Sequence, residues 1–347
     1  MSPLAERRLQ QFKSNRRGYY SLWIFMLLFI TSLFAEFIAN DKPIVMKHAD
    51  EYWFPVLFSY SEQELGGELP IEAQYWDPYL IDLVRESGGW MLWPPVAYRY
   101  DAVDLYLDSP APAQPSAEHW FGTDDGGKDT FARLIYGFRL SVLFGFTLTL
   151  CSSFIGVTVG ALQGYFGGLV DLVGQRVVEI WAGLPILLLL IILASVVEPS
   201  VYSILGILTL FTWMPLVGVV RAEFLRTRNF EYVIAARALG VKDMQMILRH
   251  VLPNAMVATL TFIPFILSGG VTMLTALDFL GFGLPAGSPS LGELLAQGKA
   301  NLHAPWLGLT GFFTLALMLT LLIFIGEGVR DALDPRRTRL TASAPGP

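Results

Sequence analysis

Apolar residues gather into six long runs along the chain, at 19–38, 141–162, 180–197, 202–220, 258–277 and 307–325, with polar segments between them. A helix needs about 20 residues to cross ~30 Å of hydrocarbon, so each run predicts a membrane-spanning helix. The third is the shortest, bounded by Glu179 and Glu198, but ILLLLIILASVV crosses it without interruption and it is expected to span. No Asp, Glu, Lys or Arg occurs in 140–170 or 251–277, so the ends of runs two and five are set only loosely by the pattern. Pro215 and Pro264 fall inside runs four and five, where neighbouring helices or water can satisfy the freed carbonyls, and each is expected to mark a kink. The predicted fold is an all-α polytopic membrane protein of about six transmembrane helices, with a large external loop region after the first.

Composition supports that class: 53% of the 347 residues are hydrophobic and only 16% are charged, with a mean hydropathy of +0.49. Such a chain is too apolar for an ordinary soluble domain. Lysine and arginine then set the orientation, since they are retained on the cytoplasmic side of short loops. They cluster at Arg7, Arg8, Lys13, Arg16 and Arg17, at Arg221, Arg226, Arg228, Arg237, Lys242 and Arg249, and at Arg330, Arg336, Arg337 and Arg339. Six spans put all three clusters, and therefore both termini, on the cytoplasmic face. The segment 40–137 carries six Lys plus Arg against seventeen Asp plus Glu, and is expected to face outward. The chain divides accordingly into a basic tail (1–18), a first helix (19–38), an external region (39–138), a membrane core (139–326) containing a cytoplasmic loop (221–255), and a second cytoplasmic tail (327–347). The first run lacks a small-residue cleavage signature and reads as a retained anchor. The basic tail RRLQQFKSNRR alternates cationic and apolar residues at helical spacing, which suits either the anionic inner leaflet or a plain topology signal. Cys151 lies inside run two and reads as a packing residue.

Candidate chemistry is sparse. Gly122, Gly127 and Lys128 form G-x-x-x-x-G-K, one residue short of a phosphate-binding loop whose next position must be Ser or Thr to hold magnesium. Asp129 stands there instead, Asp124 and Asp125 add negative charge, and the preceding SPAPAQPSAEHW is no buried strand. A nucleotide site is not predicted. The four histidines, His48, His119, His250 and His303, are scattered, and no zinc, serine-hydrolase or cysteine motif is present. Glu36, Glu179, Asp278 and Glu327 all lie near run ends, and Arg176 can pair with Glu179 one helical turn away. Spans this bare of ionisable residues argue against a proton-coupled carrier and an intramembrane enzyme. A structural or signalling membrane protein stays open on these grounds.

The cytoplasmic loop is more organised. Residues 231–239 have helix-forming composition, Gly240 offers a left-handed stop, and 241–252 begins a second amphipathic run ended by Pro253. Small residues at Ala235 and Ala236 leave room for another surface to approach closely.

Ala235, Ala236, Gly240, Leu252 and Pro253 resemble the E-A-A-x-x-x-G-x(9)-I-x-L-P loop of permease subunits of bacterial ABC importers. That resemblance implies the type I importer permease architecture and a coupling helix that docks on a cytoplasmic ATPase, formed here by Glu231, Ile234, Ala235, Ala236, Ala238, Leu239, Gly240, Val241, Leu252 and Pro253. Ile234 replaces the motif's glutamate and His250 its isoleucine; Glu231, one turn earlier, is the candidate to replace the missing charge. The segment 119–142 is similar to the external motif of the C-type permease of dipeptide and oligopeptide importers, through Gly122, Thr123, Asp124, Gly127, Lys128, Asp129, Arg133, Gly137 and Arg139. LGFGLPAGSPSLGELLAQGKANL and GEGVRDALDPR follow in that family's order. ANDKPI, YWFPVL, YSE and GGW-LWPP in the external region resemble the Yej-type branch, whose substrates include oligopeptides and microcin C.

The resemblance implies a transport subunit of the bacterial inner membrane. No cofactor is bound by this chain; ATP and magnesium belong to two cytoplasmic nucleotide-binding domains. A homologous second permease, a periplasmic peptide-binding protein and membrane lipid complete the expected partners, with no nucleic acid. The tyrosine- and tryptophan-rich external region is expected to form a small cap that either touches the binding protein or substrate, or packs over the outer ends of the spans.

Overall fold

The computed structural model describes residues 3–107 and 109–333, so Arg336, Arg337 and Arg339, expected in the second cytoplasmic tail, lie outside the described residues. In chain order the elements are α1 (Pro3–Ser14), α2 (Arg16–Leu33), α3 (Ala35–Ile38), β1 (Val45–His48), β2 (Glu51–Trp53), α4 (Pro78–Glu86), β3 (Trp90–Leu92), α5 (Thr130–Phe166), α6 (Gly168–Ala182), α7 (Ile186–Val196), α8 (Val201–Thr212), α9 (Met214–Thr227), α10 (Glu231–Ala238), α11 (Asp243–Gln245), a π-helical turn (Met246–Val251), α12 (Leu252–Phe279), α13 (Leu291–Ala300) and α14 (Pro305–Leu333).

Three continuous helical stretches among the described residues are long and apolar enough to cross a membrane: Thr130–Phe166, Asp243–Phe279 and Pro305–Leu333. Two bent pairs raise the count to five if each is one span. Run three is one of these. α6 and α7 meet at 76° across Gly183 and Pro185, and α7 alone has only 11 residues, about 16 Å at 1.5 Å per residue. The uninterrupted leucine and isoleucine pattern hid that break. Run four bends by 43° where α8 passes to α9 beside Pro215, as the proline predicts. α12 passes Pro264 as one element. Run one falls on α2, which begins with Arg16 and Arg17 and has 18 residues. Length and composition alone thus mark three to five spans among the described residues, and α2 goes unmarked because its 18 residues open on two arginines.

α5 is the central rod. Its 37 residues reach about 55 Å, and it packs closely on α9, where a Cβ at Gly160 would lie 2.8 Å from the Val217 carbonyl oxygen. Phe25 of α2, Leu134, Phe138 and Val142 of α5, Leu267 and Val271 of α12, and Met318 and Leu321 of α14 share one buried cluster. A second joins α5, α7 and α8 through Leu148, Leu190 and Leu208. Apolar residues on the outer faces of these helices are exposed, as suits lipid contact.

The segment 39–138, expected to face outward, departs from the all-α pattern with a small antiparallel sheet ordered β2-β1-β3, in which Met46 faces Trp53 on one side and Met91 on the other. Ala49 and Asp50, at φ 50 and 63, make the two-residue turn that matches strand twist. α4 starts at Asp77, whose carboxylate accepts from the Tyr79 N–H, and Leu80 and Val84 pack beneath the sheet with Met46, Leu65 and Tyr75.

Candidate coupling surface and external elbow

The external elbow is built around the N-terminus of α5. Asp129 caps that helix, its Oδ1 accepting from the Ala132 N–H at 2.7 Å, and its Oδ2 lies 2.8 Å from His119 Nδ1. His119 Nε2 lies 3.2 Å from Asp104 Oδ2, which also accepts from the Tyr98 hydroxyl at 3.1 Å. The Tyr98 ring covers the imidazole at 4.4 Å. Burial disfavours the imidazolium, but hydrogen bonds and charge from Asp129 and Asp104 outweigh it and hold the His119 pKa above its usual value. Burial likewise opposes ionisation of Asp104, but the Tyr106 N–H, His119 and Tyr98 hold its pKa below the usual carboxylate range.

Asp124 organises the other half. Its Oδ1 accepts from the Gly126 N–H at 2.8 Å and the Lys128 N–H at 2.9 Å, while its Oδ2 pairs with the fully buried Arg133. Arg133 also donates to Glu293 of α13 at 2.7 Å and to the Ser288 carbonyl at 3.3 Å. Thr123 Oγ1 accepts from the Ala113 N–H at 2.8 Å. Gly122 has φ +71, and a Cβ there would lie 2.6 Å from the Ala113 carbonyl oxygen, so no side chain fits. The loop amides that a phosphate would need are already committed to an aspartate. The elbow is a structural joint.

Gly122, Thr123, Asp124, Gly127, Asp129 and Arg133 thus belong to one cluster. Gly137 sits against Pro289 and Leu291, tying α5 to the loop that precedes α13. Arg139 reaches Glu36 instead. Lys128 contributes its backbone, and its ammonium forms no ion pair among the described residues.

At the other end of α5 lies the loop that resembles a coupling helix. α10 buries Val233 and half-buries Ala236, while Glu231, Ile234, Ala235, Ala238 and Leu239 are exposed. Their spacing of three, four, seven and eight places them on one helical face. Leu239 is 85% exposed and Ile234 56%. Gly240, at φ +79, ends the helix with Gly240 N–H donating to the Arg237 carbonyl at 3.0 Å and Val241 N–H to that of Ala236 at 3.2 Å. These are the two bonds of a Schellman cap, and Val241 and Ala236 pack together on the core below.

The second amphipathic run differs from its prediction. Pro253 does not end it: α11 passes through the π-helical turn into α12, with Pro253 in the first turn of α12. A proline there has no N–H to lose, and the widened turn before it gives its ring room. Leu252 is half-buried on the same core as Val241, whereas Pro253 is exposed; neither joins the outward face of α10. Tyr232 donates to the His250 carbonyl at 3.3 Å and accepts from Asn254 at 2.8 Å, so α10 is pinned to the foot of α12.

α5 is tied to the same loop. The Tyr165 hydroxyl donates to Asp243 at 2.6 Å, the Arg237 guanidinium stands 5.5 Å from the Tyr165 ring, and Arg228 donates to the Gly164 and Tyr165 carbonyls at 3.3 Å. A cation on those last carbonyls also complements the helix dipole. One rod therefore carries the elbow at its start and the loop at its end. Sequence reasoning gave no role to His119, Asp104, Glu293, Tyr165 or Asp243, whose partners are distant in the chain; the signals available were that His119 opens one segment resembling the permease family and Glu293 lies in another.

Residues 156–339 match the family described as binding-protein-dependent transport system inner membrane component. The chain belongs to that family and is a permease subunit of an ABC importer. It is 58% identical over 337 residues, covering 97% of this chain and 98% of the relative, to the inner membrane ABC transporter permease protein YejE of Escherichia coli (strain K12). To the peptidoglycan transport system permease protein YejE of Agrobacterium fabrum it is 54% identical over 361 residues, covering 97% and 94%. The dipeptide transport system permease protein DppC of Bacillus subtilis is 36% identical over 230 residues, covering 65% and 71%.

Proposed function

We propose that this permease moves oligopeptides or peptide-bearing compounds, of which cell-wall fragments and microcin C are examples, inward across the inner membrane. The names of the relatives support the substrate class: one is a peptidoglycan transporter and others are dipeptide and oligopeptide permeases. The chain supplies one half of the pathway; a homologous permease, two ATPase subunits and a periplasmic binding protein supply the rest. Both termini and α10 face the cytoplasm, in keeping with the basic clusters around them.

The observation that carries the mechanism is the outward face of α10. Ile234, Ala235, Ala238 and Leu239 form an apolar, small-residue surface on a short helix that buries little of itself. Docked on an ATPase subunit, that face transmits closure of the ATPase pair through Tyr165 and Arg228 into α5, and through Tyr232 into α12. Such a lever works because the two membrane states differ in their contacts with the ATPase. Hydrolysis takes place on the partner; the motif residues here shape the lever and the elbow. The test is co-purification of the intact assembly in mild detergent, with peptide-stimulated hydrolysis. A Leu239→Asp substitution is expected to release the ATPase while leaving the second permease bound.

A further inference from the structure

A cavity of about 370 Å³ opens at the outer end of α5, between it and α8, a size that admits a small ligand. Its lining is graded. Tyr100, Tyr136 and Arg139 stand at the mouth, and Leu143, Phe144 and Leu205 form the wall below. Arg139, Leu143 and Thr147 follow one another at four-residue spacing, so the wall descends one face of α5 for about 12 Å.

Two guanidiniums stand at or near the mouth, each paired with a carboxylate: Arg139 with Glu36, and Arg99 with Asp101 at 3.0 Å. Arg139 stacks over Tyr136 at 4.7 Å and Arg99 over Tyr100 at 5.1 Å, and the two tyrosine rings stand 4.8 Å apart. Glu36 engages only Nη1 of Arg139, at 2.8 and 2.9 Å. The Nε and Nη2 groups donate to nothing among the described residues, which leaves the edge that suits a bidentate oxyanion unused. Below that edge Thr147 donates to the Leu143 carbonyl, so its proton is committed, and Leu143, Phe144 and Leu205 leave the wall mostly apolar. A guanidinium at the outer boundary with an apolar groove beneath matches a molecule with an anionic head and an apolar body.

We propose that this cavity binds an amphiphilic anion, with a carboxylate or phosphate on the free edge of Arg139 and the apolar portion along α5 and α8. A peptide carboxyl terminus bearing an apolar side chain and an anionic phospholipid both have this chemistry. The inference does not depend on transport, because binding is read directly.

The test uses the whole importer complex in nanodiscs, with Cys151→Ala and Leu143→Cys carrying an environment-sensitive fluorophore. One arm titrates a tripeptide ending in phenylalanine, and the same peptide as its amide, into phosphatidylcholine discs. A second arm compares phosphatidylglycerol discs with phosphatidylcholine discs, without peptide. A response to the acid and not the amide identifies the peptide source; a response to phosphatidylglycerol alone identifies the lipid source. In either case Arg139→Gln is expected to weaken binding about tenfold or more. Tyr202→Glu, at a residue 85% exposed beside the cavity, leaves the Arg139–Glu36 pair intact and is expected to weaken binding severalfold. Acid matching amide while the two lipids give equal signals would overturn the proposal, as would either variant titrating like its parent.

Discussion

Gly240→Val tests the lever with little interference from packing. A Cβ at Gly240 would meet no atom within 4 Å, so the Cβ itself introduces no clash and the dominant effect is backbone strain at φ +79. A β-branched residue in the left-handed region costs about 1–3 kcal/mol. Relief requires opening the turn and losing the Gly240 and Val241 N–H bonds to Arg237 and Ala236, which would rotate Leu239 off the outward face of α10. If the docked state bears that cost, affinity for the ATPase falls about 5- to 140-fold, at 1.4 kcal/mol per tenfold. Gly240→Asn, which tolerates the same backbone region, is expected to stay within about threefold. The assay is ATPase retention on the immobilised permease across a dilution series, with peptide uptake per ATP hydrolysed measured in proteoliposomes. Valine behaving like glycine would show that the turn is not a coupling element, and valine and asparagine losing retention equally would show that backbone strain is not the cause.

Protonation of His119 stabilises the elbow, because its folded pKa is raised: the contribution is full below the unfolded value of about 6.5 and is lost as pH rises through the folded value. The external region is therefore expected to become more protease-sensitive across that window, and His119→Gln to flatten the dependence. Arg133→Met leaves Asp124 buried without its partner and is expected to destabilise by about 3–5 kcal/mol, read as a large fall in Tm in detergent, with Arg133→Lys a poor rescue because Asp124, Glu293 and Ser288 use two separate nitrogens. Gly18→Leu would place a Cβ 2.9 Å from the Phe324 carbonyl oxygen, and is expected to cost about 1–3 kcal/mol by forcing α2 from α14, again read as Tm.

Long-range composition and short-range backbone chemistry were legible in the sequence; non-local contacts were not. Gly240 announced its left-handed turn because its surroundings were helix-forming on one side and amphipathic on the other. Pro215 announced the bend between α8 and α9, yet Pro185 was overlooked because the apolar run continued past it. Strands of three or four residues, such as Glu51–Trp53 and Trp90–Leu92, are too short for alternation to register, so the external sheet went unseen. Arg133 was picked out by its motif, but its bond to Glu293 joins residues 160 positions apart, and no local pattern encodes such a distance.

The decisive experiment is uptake of a labelled peptide into proteoliposomes containing the complete importer, with ATP enclosed and with or without an imposed proton gradient. Uptake is expected to need ATP and the binding protein, to ignore the gradient, and to collapse with Leu239→Asp. Uptake that persists without ATP and follows the gradient would contradict it.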